Sequence, residues 1–191
     1  GANPATVSSG NGAGLKALMP AVGVESAHQA AEPIPPSELG AKAGAQYSGD
    51  GLSVLRTPDG ARLRCVFQKL EGQVTGEGLW LTSTAENSKG ERFHVVASAV
   101  GHGTPCPTLA LPHAGTVTVT DKLARYVRPG LTEEYSVSVD GVRQDFVIAE
   151  RPAGAGDLRV ELALTGARAE VAAYGAKLTL DGSRRELAYS R

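Results

Sequence analysis

The residues of this chain best suited to chemistry are its histidines and cysteines. His102, Cys106 and His113 stand as His-x3-Cys-x6-His, and Cys65 could add a fourth ligand. A tetrahedral zinc site wants four nitrogen or sulfur ligands. This spacing matches no familiar knuckle or ribbon, and the loop that carries it is rich in Gly and Pro. The expectation is therefore ordinary loop histidines and no metal. The cysteines offer a second chemistry. Cys65 lies in the apolar run Leu63-Arg64-Cys65-Val66-Phe67 and Cys106 between Pro105 and Pro107. A disulfide between them would close a loop of about forty residues and contribute roughly 3–4 kcal/mol by chain entropy. The sequence leaves the other outcome equally open, a buried thiol and a loop thiol that never meet, because bridging needs Cα atoms within roughly 7 Å.

Other catalytic constellations fare worse. Ser, His and acidic residues are present, but without a Gly-x-Ser-x-Gly elbow or a Cys-His signature. Glu133, Glu134 and Glu161 could form paired carboxylates of the glycosidase kind, yet their patterns read as the solvent faces of strands. Gly10-Asn11-Gly12-Ala13-Gly14 has no strand before it and no Lys-Ser or Lys-Thr after it, so it is no phosphate cradle. Asp50, Asp59, Asp140 and Asp181 are each followed by Gly and read as turns rather than calcium ligands. The expectation is a protein that is not an enzyme, with no catalytic residue and no cofactor. Ligand binding keeps two candidates, Trp80 and Tyr126, since glycan-holding sandwiches stack sugars on exposed aromatics. If Leu79 and Leu81 face the core, Trp80 points outward; in the opposite reading Trp80 is itself core.

The elements that must position these residues are short. Gly (24) and Pro (11) are abundant in the 191 residues and aromatics are few, which favours turns and a core of Val, Leu and Ala. Nineteen basic and twenty acidic residues are interspersed, so no basic stripe exists for nucleic acid. No apolar run approaches the roughly 18–20 residues of a membrane span. Residues 1–45 are rich in Ala, Gly, Ser and Pro, with Pro33-Ile34-Pro35-Pro36 the stiffest piece, an apolar patch from Leu15 to Val24, and a short helix conceivable over Ser26–Glu32. They read as an irregular leader or linker. From residue 46 to residue 191 the pattern alternates. Stretches near 52–54, 62–70, 79–84, 92–100, 116–120, 134–139, 142–148, 158–164, 177–180 and 186–189 are expected as strands, punctuated by Thr57-Pro58-Asp59-Gly60, Asp140-Gly141 and Asp181-Gly182 turns. About ten short strands predict an all-β fold, an antiparallel β-sandwich or partly open barrel. The alternating run Glu186–Arg191 ends in mid-pattern, and the chain opens Gly-Ala-Asn-Pro without Met. The expectations are a domain truncated at its C-terminal end and a signal peptide already removed.

One stretch resembles a known family. Tyr126 to Tyr135, with Pro129-Gly130-Leu131, then Gln144-Asp145-Phe146-Val147-Ile148, Arg151-Pro152-Ala153-Gly154 and Leu158-Arg159-Val160-Glu161-Leu162, is similar to the β-rich domain that precedes beta-propeller-type repeats in large secreted bacterial proteins of the SBBP type, in a verrucomicrobial style. Arg128 departs from the family pattern, which has an aromatic or apolar residue before Pro-Gly. The resemblance implies a secreted or cell-surface location and an architecture, with no site residues to carry over. It points to a non-catalytic structural or interaction module that packs against a following domain of the same polypeptide or against neighbouring subunits. Two alternatives stand beside it: a carbohydrate- or ligand-binding sandwich, and an extracellular fibre subunit whose leader donates a strand.

Overall fold

A computed structural model describes residues 5–8, 13–17, 49–102 and 109–190. Cys106, Pro33–Pro36 and the helix conceivable over 26–32 lie outside these residues. The described strands are β1 (Ala5–Ser8), β2 (Ala13–Ala17), β3 (Leu52–Thr57), β4 (Gly60–Cys65), β5 (Leu70–Thr75), β6 (Gly78–Ser83), β7 (Arg92–His102) and β8 (Leu109–Ala110), followed by β9 (Thr116–Thr120), β10 (Leu123–Arg128), β11 (Leu131–Ser138), β12 (Gly141–Val147), β13 (Leu158–Thr165), β14 (Ala167–Ala172), β15 (Gly175–Leu180) and β16 (Glu186–Ser190). The fold is all-β, an antiparallel sandwich without barrel closure.

The first sheet runs β1-β13-β7-β6-β5-β4-β3, with β8 also beside β7; the second runs β14-β15-β16-β2-β12-β11-β10-β9. Three meanders supply most of this order, β3 to β7, β9 to β12 and β14 to β16, because each tight turn returns the chain beside the strand it has just left. Two stretches of the segment expected to be a leader take part as strands. Ala5–Ser8 extends the first sheet on β13, and Ala13–Ala17 lies between β12 and β16.

Alternation in the sequence becomes burial in the structure. Leu63, Leu70, Leu79, Leu81 and Phe93 from the first sheet meet Tyr126, Leu131, Tyr135, Leu180 and Leu187 from the second, all buried. Each large apolar side chain so buried contributes about 1.5–3 kcal/mol. The strand expected over 62–70 is in fact interrupted: Cys65 ends β4, Val66–Gln68 form a 3-10 turn, and Lys69 adopts a φ of 50° before β5 begins. At Gly60 the β3–β4 turn requires a φ of +143°, and the Val74 carbonyl oxygen lies 2.1 Å from where a Cβ would stand. A side chain there would be both strained and obstructed.

At one end of the sandwich the sheets are tied reciprocally by two charged side chains. Glu91, just before β7, accepts from the backbone N–H of Gly182 (2.6 Å) and Ser183 (3.1 Å) in the β15–β16 turn. Arg185 from that turn donates to the carbonyls of Gln68 (2.7 Å) and Lys69 (3.0 Å) and to the Ser83 hydroxyl (2.6 Å). Burial pushes the Glu91 carboxyl up, but Ser183 and the two turn amides outweigh it and hold the group below its ordinary value. A carboxyl held low in the folded state contributes stability that is complete above its unfolded value, about 4.3, and is lost as pH falls through the lowered folded value. Glu91→Gln is therefore expected to lower Tm at neutral pH, with the variant and parent melting curves converging on acidification below about pH 4.3. A gap in Tm that stays constant through the acid range in a pH series of thermal melts would contradict this linkage.

Candidate functional site

The one densely connected group of polar side chains among the described residues lies inside the sandwich. It originates in an interruption of the first sheet. β6 pairs with β7 from Leu79 opposite Val95 downward, while β8 pairs with β7 only from Ala99 onward. Ala97 falls between the two, opposite neither strand. On the other side of β7 the register with β13 shifts between Glu161 and Leu162, which leaves Ser98 as the extra residue of a bulge. Its hydroxyl donates to the Glu161 carbonyl at 3.1 Å.

Two side chains from the opposite sheet take the place of the missing strand. The Glu133 carboxylate accepts the Ala97 N–H at 3.1 Å, and the Arg128 guanidinium donates to the Ala97 carbonyl at 2.8 Å. Arg128 and Glu133 are themselves paired, Nη2 to Oε1. Both are carried by the β10–β11 hairpin, whose Pro129-Gly130 turn returns the chain so that Arg128 pairs with Leu131. The second oxygen of Glu133 accepts from the Tyr135 hydroxyl (2.7 Å) and from Gln144 Nε2 (2.5 Å), and Gln144 Oε1 accepts from the Tyr189 hydroxyl (3.0 Å). Arg128 also donates to the Pro112 carbonyl at 3.0 Å, and its guanidinium lies 4.6 Å from the centroid of the Tyr126 ring. The Tyr126 hydroxyl closes the group by donating to the carbonyls of Gly76 (3.1 Å) and His113 (3.0 Å).

The electrostatics follow from burial. Glu133 and Gln144 are fully buried and Arg128 is 5 % exposed. Burial pushes the Glu133 carboxyl above its ordinary value, against the opposing pull of Tyr135, Arg128, the Ala97 N–H and Gln144. Every one of those four contacts is a donor, the complement of a carboxylate rather than of a carboxylic acid. Burial likewise raises the Tyr135 phenol far above its ordinary value, reinforced by the neighbouring carboxylate, and raises Tyr189. Both phenols therefore serve as protonated donors. Arg128 Nε is the one nitrogen of its guanidinium left without a hydrogen-bond partner; the Tyr126 ring face compensates part of that loss.

This arrangement corrects the sequence reading of Glu133 as a solvent-facing residue. Adjacent strand residues point to opposite faces, so Glu133 and Glu134 cannot share one. Glu133 has the parity of Tyr135 and faces inward, whereas Glu134 pairs outside with Arg125 at 2.6 Å. The parity was available from the sequence, as was the polar Gln144 two residues from buried Val142.

The two ligand-binding candidates separate. Leu79 and Leu81 are fully buried, so Trp80 points out of the first sheet, half-buried. Its ring stacks on His94, centroids 4.5 Å apart, and Arg92 lies 4.9 Å from its centroid while also donating to Gln73 at 3.3 Å. Burial lowers the His94 imidazole, which shares a 2.9 Å hydrogen bond with the Glu77 carbonyl. Tyr126, by contrast, is fully buried and offers no exposed platform; its inward parity on β10 and its role as the aromatic partner of Arg128 account for the difference. Cys65 is a free, buried thiol donating to the Ser138 carbonyl at 3.4 Å and pushed up to about 11 by burial. His102 is buried, with Nδ1 bonded to the Gly156 carbonyl at 2.9 Å, while His113 is exposed. Among the described residues no group of three or more His, Cys, Asp or Glu could hold a metal ion, and no helix is long and apolar enough to cross a membrane.

No protein-family model matches this sequence, and no curated protein or solved structure matches it either.

Proposed function

We propose that this chain is a non-catalytic structural and interaction module of an exported bacterial protein, packing against a neighbouring domain of its own polypeptide or against a neighbouring subunit. The observation that carries the reading is on the outer face of the second sheet. Val127 pairs with Thr132 and Thr132 with Val147, so the two valines flank a threonine in one cross-strand row. They are 40 % and 47 % exposed. Leu109, 58 % exposed, approaches the adjoining Gly130 turn from β8. Elsewhere on that face stand charged pairs, Arg125 with Glu134 and Arg143 with Asp145. A small apolar strip bordered by polar residues is the surface character of a contact region. The family resemblance over 126–162 supports the exported, multidomain setting, and the polar interior supports a structural role, since Glu133 and its partners are consumed by the fold.

The test is hydrogen exchange read peptide by peptide, on dilute and on concentrated protein. Amides of β10 to β12 are expected to slow as the concentration rises, and the slowing is expected to vanish in the Val127→Lys/Val147→Lys variant. Exchange in β10 to β12 that is the same at all concentrations overturns the packing of this face on a neighbouring subunit, and exchange that is also unchanged in the Val127→Lys/Val147→Lys variant overturns its packing on a domain of the same polypeptide.

A further inference from the structure

β14 is an outer edge of the second sheet. It pairs with β15 without a register break, from Ala167 opposite Leu180 to Ala172 opposite Gly175, and no described strand pairs with its other side. The Gly166 carbonyl turns toward β15, where it accepts from the Asp181 N–H at 3.1 Å. Backbone direction alternates along an antiparallel strand, so Arg168, Glu170 and Ala172 also turn inward to β15. Ala167, Ala169 and Val171 present their N–H and C=O groups to the open edge. The opposite edge of this sheet differs: there the Val119 carbonyl of β9 is taken by Arg56 at 3.2 Å.

A regular edge strand with neither Pro nor a bulge is a template for another strand, and its side chains select which one. Charges on an edge ordinarily repel an arriving strand. The exposed Arg168 and Glu170 have a self-complementary spacing. An antiparallel copy of β14 centred on Ala169 sets Arg168 opposite the second copy's Glu170, and Glu170 opposite its Arg168. In that register Ala169 faces its own counterpart and Ala167 faces Val171, so every outward backbone group is paired. Sliding the copy to the next hydrogen-bonded register puts Arg168 opposite Arg168 in one direction and Glu170 opposite Glu170 in the other. Like charges directly opposite are destabilising, so charge selects the register centred on Ala169. That register also lengthens an existing alternation of charge, in which Lys177 bridges Glu170 and Glu186, each at 3.1 Å, and Arg168 lies 3.4 Å from Asp181. Val171, 99 % exposed in the single chain, gains Ala167 of the second copy as its cross-strand neighbour.

We propose that the β14 edge is a self-association site, which takes β14 of a second copy of this chain in antiparallel register about Ala169 and forms a two-fold dimer with one continuous sheet. This goes beyond the reading above and does not depend on it, because the Val127–Val147 row lies on other strands of the sheet.

The experiment is sedimentation velocity on the full chain from about 10 µM to about 1 mM, with native mass spectrometry to identify the chains in each dimer. One added strand pair is a small interface, so half of the chains are expected to be paired at about 100 µM. Arg168→Glu and Glu170→Arg, made singly, each turn the attractive cross-strand pairs into repulsive ones and are expected to weaken the dimer about thirtyfold. Both side chains are exposed, so neither change touches the core. An equimolar mixture of the two variants restores opposite charges across the edge and is expected to dimerise as the parent does, with one chain of each kind. Val127→Lys/Val147→Lys is expected to leave this dimer intact. A parent that stays monomeric to about 1 mM overturns the proposal. So does a dimer indifferent to the single reversals, or one lost in them that the mixture fails to restore. A dimer lost in Val127→Lys/Val147→Lys but kept in both single reversals discards the β14 edge and retains the apolar row.

Discussion

Arg128→Met is expected to destabilise the fold by about 3–5 kcal/mol, because it leaves the Glu133 carboxylate buried without its cation. For a chain of this size that is a fall in Tm of roughly 10 °C. The loss reaches beyond the ion pair. Arg128 donates to the carbonyls of Ala97 and Pro112, and with it gone the interrupted edge of β7 loses the group that replaces a strand. Glu133→Leu is expected to cost a similar amount, since it strands Arg128, the Ala97 N–H, the Tyr135 hydroxyl and Gln144 together. The double variant decides what the pair is for. Where a buried ion pair has no other obligations, replacing both partners by apolar groups is close to neutral. Here the Ala97 groups and the Tyr135 and Gln144 donors remain, so the double variant is expected to lie below the parent by about 2 kcal/mol or more, yet well above the sum of the singles. Urea denaturation of the four proteins measures the cycle. A double variant as stable as the parent would mean that Ala97, Tyr135 and Gln144 contribute nothing through Glu133.

That cluster also marks where the sequence stops being legible. The strands read correctly from sequence include those with strict alternation and a cheap turn, Thr116–Thr120, the hairpin around Asp140-Gly141, Leu158–Thr165 and the last hairpin around Asp181-Gly182, together with the apolar runs that became Leu52–Thr57, Gly78–Ser83 and Arg92–His102. The ones that escaped lack that signature. β10 reads Leu-Ala-Arg-Tyr-Val-Arg, where one arginine faces water and the other the core, so polarity no longer reports the face. β14 is an alanine-rich edge strand bearing Arg168 and Glu170. β5 contains Gly72, whose missing side chain makes room for Leu63. β1 and β2 lie in a segment whose composition argues for no strand at all, and their place depends on pairing with residues more than a hundred positions away. Trp80's outward position was decidable once Leu79 and Leu81 were assigned to the core. The inward turn of Glu133 followed from parity, but most of its partners could not be read, because Arg128 and Gln144 reach it from β10 and β12 only once the strands pair, and Ala97 on β7 only once the two sheets close.

Gly115→Ala is expected to be the most damaging of the small-to-large changes outside the positive-φ turns. A Cβ at Gly115 would stand 2.5 Å from Tyr126 Cε2, 2.6 Å from Arg128 Cγ and 2.7 Å from the Val127 carbonyl. Such overlaps must be relieved by movement, and the cost depends on whether the neighbours can yield. Tyr126 is held by two hydrogen bonds from its hydroxyl, and Arg128 by Glu133 and by the carbonyls of Ala97 and Pro112. The carbonyl belongs to a paired strand. None of the three is the free end of a side chain, so the added methyl pushes directly on the cluster that docks the two sheets, at an expected cost of about 3 kcal/mol. Two comparisons isolate the cause. At Gly72 the added Cβ meets only the Leu63 side chain, at 3.0 Å from both its Cβ and its Cδ1, a smaller overlap that a shift of a few tenths of an ångström relieves, so Gly72→Ala is expected to cost about 1 kcal/mol. At Gly90 nothing lies within 4 Å and only the positive φ of 84° opposes a side chain, so Gly90→Ala is expected to cost about 1 kcal/mol by strain alone. Chemical denaturation should therefore rank Gly115→Ala far below the other two, and restoring room with Tyr126→Leu in the same chain should recover part of the loss relative to the two changes taken separately. Equal costs at all three glycines would show that the Arg128–Tyr126 pair yields freely, and that the cluster does not hold the sheets in place.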